Sequence, residues 1–229
     1  MQYPSSWLQR ASLGEKIVSE LRLQIISGSI HPGALLSENQ IASEFGTSRS
    51  PVREALRTLS GEGLIRLERM GAVVLGLTSK DIDELNDVRF MIESFVLQRL
   101  SQIDHEPLVA TLNKIIDKME LAGKHQDFIE FSYQDLCFHE EMILGINHTR
   151  ISHLWNSIRE IVLTALLVAT GKRFVGKTHE IEPLIEKHRL IVKALVSKDF
   201  HLIEKIIQEH FKDTRKTVSE TLLKMNQDN

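Results

Sequence analysis

The sequence predicts a mostly α-helical protein of two domains, a small one that ends near residue 77 and a larger all-helical one after it. Helix is favoured because aromatic residues make up only 6% of the chain while Leu, Ile, Glu and Lys are abundant. The division is predicted because strand-like runs flanked by glycine occur only before residue 78. Helical apolar periods fill the remainder of the 229 residues.

The composition excludes several classes of protein. The single cysteine, Cys137, cannot form a disulfide within the chain, which is typical of a reducing compartment. No run of about 18 apolar residues occurs, and the N-terminus has no charged region followed by an apolar stretch. We therefore expect a cytoplasmic protein without a membrane partner.

The chain begins with residues 1–10, which show no sustained period and are expected to form a flexible arm. A first helix is predicted from Ser12, because apolar residues then recur at helical spacing. The period stops before Gly28, where glycine can adopt the left-handed conformation that ends a helix.

Two short helices are predicted on either side of a tight turn at Gly46. The first spans 38–45 with Ser37 as its N-cap, and the second spans 49–59 with Ser48 as its N-cap. Strand-like runs at 64–67 and 72–77 flank a polar tip and predict a hairpin. Residues 11–77 are therefore predicted to form a winged helix-turn-helix domain, whose second helix enters the major groove of DNA.

Arginines on the second of these helices are the first candidate functional residues. Arg49, Arg53 and Arg57 follow one another at intervals of four and so share one helix face. Residues 1–75 hold eight Lys and Arg against seven Asp and Glu, so the domain is nearly neutral although this face is basic. Arginine can contact guanine edges or phosphates, whereas the alternative is a solvated helix face.

The same region is similar to a known family. The similarity rests on the stretches Ile30-His-Pro-Gly-Ala-Leu-Leu-Ser-Glu38, Ile41-Ala-Ser-Glu-Phe-Gly-Thr-Ser-Arg-Ser-Pro-Val-Arg-Glu-Ala-Leu56, Leu59 and Glu62-Gly-Leu-Ile65. Residues 13–77 thereby resemble the GntR family of bacterial transcription regulators. The resemblance implies that Arg49 and Arg53 contact DNA. It also makes Ser48 and Ser50 candidates for phosphate contacts, while Asn39 stands where some relatives have arginine and Arg69 lies at the wing tip.

The second domain, residues 78–229, is predicted to be a six-helix antiparallel bundle. The predicted helices span 79–102, 106–123, 127–145, 148–171, 179–197 and 199–224. Asp135 and His139 lie four residues apart and therefore on one helix face, and His188 and His210 lie on two further helices. One carboxylate and three imidazoles suit zinc foremost, with nickel or manganese possible. The alternative is four unrelated surface or core residues.

This cluster is similar to the metal site of the FCD sensing domain in the FadR branch of the GntR family, and six helices resemble its shorter, VanR-like subgroup. The resemblance implies that Asp135, His139, His188 and His210 are the metal ligands. Arg89 and Glu93 match an Arg-x-x-x-Glu pattern of the family, and we expect either a structural pair or an effector contact. Arg159 is a further candidate for binding an anionic effector.

Three functions remain open on this basis. The first is a homodimeric repressor whose affinity for a two-fold symmetric operator changes when a small organic acid binds at the metal site. The second is the same DNA-binding regulator with a purely structural metal. The third is a metal-dependent hydrolase, although the sequence contains no His-Glu-x-x-His motif.

Overall fold

The computed structural model describes residues 3–69, 71–103, 106–176 and 181–227. The chain divides into two compact units, Met1–Lys80 together with Leu222–Asn229, and Asp81–Thr221. The described residues confirm the predicted fold class, because a helix-turn-helix with a small sheet precedes an all-helical region. None of the described helices combines the length and apolar character that a membrane span needs.

The segment that was predicted to be a flexible arm has local structure over its described part. Ser5–Leu8 form a 3-10 helix, and Tyr3 is buried. The backbone N–H of Tyr3 donates a hydrogen bond to Glu20, and its ring packs edge-on against Trp7. A single turn is too short to leave a period in the sequence, so the pattern contained no sign of it.

Helix α1 spans Leu13–Ile26 and begins with a complete capping box. Ser12 Oγ accepts a hydrogen bond from the Glu15 backbone N–H, and the Glu15 carboxylate accepts one from the Ser12 N–H at 2.7 Å. These two bonds satisfy donors that the helix itself leaves unpaired. The apolar face that was predicted from the period is buried, with Ile17, Leu21 and Ile25 all at most 3% exposed.

Helices α2 (Glu38–Glu44) and α3 (Arg49–Gly61) form the helix-turn-helix. Gly46 has the positive φ that the turn between them requires. Four apolar residues of α3 are buried and hold it against α1 and α2: Val52, Ala55, Leu56 and Leu59. Ser37 and Ser48 stand at the predicted N-cap positions, but neither side chain makes a capping hydrogen bond.

The wing is a three-stranded antiparallel sheet rather than the two-stranded hairpin that was predicted. It contains β1 (Leu35–Ser37), β2 (Ile65–Glu68) and β3 (Gly71–Val74) in the order β1-β3-β2. The first strand is only three residues long, so its sequence shows no alternation. A Cβ at Gly71 would lie 2.0 Å from the Leu36 carbonyl oxygen, so only glycine allows this close pairing.

The second unit is built from six helices among the described residues, as predicted. They are α4 (Ser79–Leu100), α5 (Glu106–Lys124), α6 (Phe128–Gly145), α7 (Thr149–Gly176), α8 (Ile181–Ser197) and α9 (Phe200–Gln227). Residues 161–171 of α7 are buried on every side. This stretch is largely apolar, as expected of a helix segment that is covered on all sides.

Candidate DNA-binding surface and candidate metal centre

The arginines of helix α3 lie outside its buried apolar face. Arg49, Arg53 and Arg57 are all exposed. In the described part of the chain, Arg49 and Arg57 make no hydrogen bond or ion pair. The predicted DNA-contacting residues share this exposure, namely Asn39, Ser48, Arg49, Ser50, Arg53, Arg57 and Arg69. This face therefore has the chemistry of a recognition helix.

Arg69 occupies the turn between β2 and β3, where the predicted wing tip lies. Met70, the other residue of that tip, lies outside the described residues. Ser48 and Ser50 lie at the first turn of α3, where backbone N–H groups are not used by the helix. A helix N-terminus of this kind attracts phosphate, which supports the expected positions of these two serines.

Two ion pairs position α3 and its side chains. Arg53 Nε donates to Glu38 Oε2 at 2.8 Å, and this pair joins α3 to the start of α2. Arg22, on α1 and only 2% exposed, donates two hydrogen bonds to Glu62, the residue that caps the end of α3. The partners are 15 and 40 residues apart, so helical spacing in the sequence contains no signal for either pair.

Three of the four predicted metal ligands converge in the second unit. Helix α6 carries Asp135 and His139 on one face, and α8 supplies His188. Asp135 Oδ1 lies 3.0 Å from His188 Nε2 and 3.5 Å from His139 Nε2. The ligand atoms of the three residues all lie within 4.8 Å of one another, and both imidazoles are at most 2% exposed.

The hydrogen bonds of His188 favour a cation in this cluster. Its Nδ1 lies 2.8 Å from the Leu184 carbonyl oxygen, which can only accept, so Nδ1 carries the hydrogen. In the neutral ring, Nε2 then points its lone pair at a carboxylate oxygen of Asp135. Two acceptors face each other at hydrogen-bond distance only when a proton or a metal ion lies between them.

His210, the fourth predicted ligand, lies beside this group on α9. Its ring centroid is 5.1 Å from that of His139 and 5.6 Å from that of His188. Its Nδ1 is buried without a hydrogen-bond partner among the described residues. Burial, together with the neighbouring imidazoles, holds the pKa of His210 well below its usual value and so keeps the ring neutral. A neutral, unpartnered ring nitrogen is a suitable metal ligand, so the four residues fit a divalent cation.

A second layer of charged residues orients His139. Glu93 is fully buried and lies 2.6 Å from His139 Nδ1, while Arg89 donates to the other oxygen of the same carboxylate at 3.1 Å. Burial alone would raise the pKa of Glu93, but His139 and Arg89 outweigh it and lower that pKa. The pKa of His139 is raised against its burial, because Glu93 and Asp135 favour the charged ring. A carboxylate behind a ligating histidine is typical of metal centres.

The four predicted ligands and Arg89 line a small cavity of about 40 Å³. Its cationic residues are Arg89, Arg173 and Lys187.

Comparison with known proteins identifies two family models along the chain. Residues 13–75 match the family model described as bacterial regulatory proteins of the gntR family, and residues 84–213 match the FCD domain. The chain belongs to the GntR family. A gluconate operon transcriptional repressor of Bacillus subtilis (strain 168) is 44% identical to this GntR protein, and one of Bacillus licheniformis is 43% identical. Each alignment covers 96% of this chain and 91% of the relative.

Solved structures agree at the level of fold. E. coli McbR/YncC superposes with a TM-score of 0.69 at 20% identity, covering 92% of this chain and 98% of that one. The matched families and relatives are transcription regulators and not enzymes, so this GntR protein is a DNA-binding regulator and the hydrolase hypothesis is wrong.

The two predicted effector contacts lie in different surroundings. Arg89 lines the cavity, but its guanidinium is already bonded to Glu93 and lies 5.2 Å from the centre of the Phe211 ring. Arg159 is not among the residues that line the cavity. It donates two hydrogen bonds to Glu140 and a third to Glu160, so a role in effector binding has no support in this geometry.

Proposed function

We propose that this GntR protein is a homodimeric repressor of a gluconate operon, and that a sugar acid bound at the metal centre changes its operator affinity. The observation that carries the proposal is 43 to 44% identity, over 96% of the chain, to two repressors that are named for the gluconate operon. Gluconate is a small organic acid, the effector class that the FCD resemblance implies. A homodimer would read an operator with two-fold symmetry.

On the DNA side, the proposal assigns α3 to the major groove. Arg49 and Arg53 lie nearest the N-terminal end, where a recognition helix contacts bases. Ser48, Ser50, Asn39 and Arg57 are assigned to the phosphate backbone, and Arg69 is assigned to the minor groove beside the wing. Because its partner is chromosomal DNA, the protein acts in the cytoplasm.

On the sensing side, the proposal assigns a divalent metal to Asp135, His139, His188 and His210, with zinc foremost and nickel or manganese as alternatives. A bound metal would supply a Lewis acid for the carboxylate of the effector. Arg173 and Lys187 add positive charge around the same cavity, whereas the charge of Arg89 is compensated by Glu93. An anionic ligand is therefore favoured over a neutral sugar.

The size of the cavity suggests how binding is coupled to a change in conformation. The cavity of about 40 Å³ is small, and we infer that helices or side chains around it move apart as the acid enters. A ligand shifts an equilibrium only when its affinity differs between two conformations. An acid that is excluded from the compact state meets this requirement.

The proposal is tested by binding to a duplex that the full-length protein selects from a random-sequence library. Fluorescence anisotropy would measure the affinity with zinc, nickel or manganese, or with chelator, at increasing gluconate. We expect gluconate to weaken operator binding at least about tenfold in a metal-loaded form, a typical allosteric coupling. Glucose, which lacks the carboxylate, should have no effect.

His188→Ala and the exposed His153→Ala serve as a matched pair. We expect His188→Ala to bind the operator but to lose the gluconate response, and His153→Ala to keep both. Failure of every metal-loaded form to respond to gluconate would overturn the sensing proposal. Loss of folding in His188→Ala, together with an unresponsive wild type, would support the structural-metal hypothesis instead.

A further inference from the structure

The three arginines of α3 differ in their polar contacts within the protein. Arg49 and Arg57 make no polar contact within the described part of the chain, whereas Arg53 is bonded through Nε to Glu38. The Glu38 side chain is only 16% exposed, and the Arg53 side chain is 52% exposed. A largely covered carboxylate therefore holds an arginine whose outer end remains in water.

The atom through which Arg53 contacts Glu38 determines which of its donors remain available to DNA. A guanidinium carries five N–H donors in one plane, and Glu38 uses the inner donor at Nε. Neither terminal nitrogen, Nη1 nor Nη2, has a hydrogen-bond partner among the described residues. These two nitrogens form a fork that matches the two major-groove acceptors of guanine, N7 and O6.

We propose that Glu38 is a positioning residue for sequence reading, because its carboxylate fixes the Arg53 guanidinium so that the Nη1 and Nη2 edge faces a guanine. The inference rests on the proposed DNA-binding role of α3. Fixing a long side chain before binding reduces the entropy lost when the complex forms. Only a directional contact gains from this, since a phosphate can be reached from many side-chain conformations.

The negative charge of Glu38 supports its role as a positioning residue. A carboxylate beside the recognition helix repels DNA phosphates, so it weakens binding to every sequence. In DNA binding, such a group is useful when it discriminates between sequences. Glu38 also lies in the first turn of α2, where a carboxylate stabilises the helix dipole. Loss of that second role would weaken binding to all duplexes equally.

The test compares wild type with Glu38→Ala, Glu38→Gln and Arg53→Ala, and uses Glu44→Ala, an exposed carboxylate at the other end of α2, as the control. Affinities are measured for the duplex selected by the wild type and for an unrelated duplex of equal length. We expect Glu38→Ala to bind the selected duplex roughly fivefold more weakly and the unrelated duplex roughly twofold more tightly. Glu38→Gln keeps an acceptor for Nε and should retain most of the discrimination.

Replacing single guanines by 7-deazaguanine, which lacks the N7 acceptor, identifies the base that Arg53 reads. At one position this replacement should weaken the wild type roughly fivefold or more and should have no further effect on Arg53→Ala. In Glu38→Ala, 7-deazaguanine at that position should reduce the affinity less than it does in the wild type. Equal weakening on both duplexes, or an undiminished effect of 7-deazaguanine in Glu38→Ala, would overturn the proposal. A wild type that selects no sequence would instead contradict the proposed function.

Discussion

The recognition helix and the candidate metal centre both concentrate charged residues, but the charges have opposite surroundings. The arginines of α3 are exposed, and only Arg53 has a protein partner among the described residues. In the candidate metal centre, Glu93 and His139 are at most 1% exposed and are bonded to each other. A charge left in water remains available to an external partner, whereas a buried charge must be compensated within the fold. Burial therefore separates charges that are available to DNA from charges that are compensated within the fold.

The largest loss of stability that this comparison predicts follows substitution of Glu93. Glu93→Gln keeps the shape of the side chain but removes the charge that compensates the buried Arg89, which is 3% exposed. We expect the free energy of unfolding of the metal-free protein to fall by about 3 kcal/mol. The measurement is urea unfolding followed by the fluorescence of Trp155, in a Trp7→Phe background that removes the other of the two tryptophans.

Glu182→Gln is the matched control, because this carboxylate contacts Arg189 but is 71% exposed. Its effect should stay within about 0.5 kcal/mol. Equal effects for the buried and the exposed carboxylate would contradict the comparison.

A smaller loss of stability is predicted for a substitution of Arg22. It tests whether the loss depends on the burial of the ion pair or on the unit of the chain in which the pair lies. Arg22 and Glu62 form a buried ion pair within the DNA-binding unit, with side chains 3% and 12% exposed. Arg22→Met leaves Glu62 without its partner, and we expect a loss of about 2 kcal/mol. Amide hydrogen exchange in α3 should accordingly become roughly 30-fold faster.

Arg66→Met provides the comparison within the same unit. Arg66 and Glu68 also form an ion pair, but their side chains are 63% and 49% exposed. Exchange in α3 should be nearly unchanged in this variant. If Arg22→Met were equally neutral, burial would not be the property that separates the two regions.

The sequence predicted the fold better than it predicted the contacts within the sites. Periods of apolar residues located α1 and the six helices of the second unit because each buries one face or, for α7, every face. Strand β1 was missed because three residues show no alternation. The spacing of four between Asp135 and His139 is local and therefore readable. The pairs of Glu38 with Arg53 and of Glu93 with His139 join distant segments, so only the folded chain reveals them.

The smallest effect on stability is predicted for Arg57, and it sharpens the comparison from the exposed side. Arg57 is exposed and has no polar partner in the described part of the chain, so Arg57→Ala should change the free energy of unfolding by less than about 0.5 kcal/mol. If Arg57 contacts a phosphate, affinity should fall similarly for all duplexes, and the slope of log affinity against log salt should decrease by about 1. Anisotropy titrations at several salt concentrations measure both quantities. A loss confined to the selected duplex would make Arg57 a base-reading residue, and its assignment to the phosphate backbone would then be wrong.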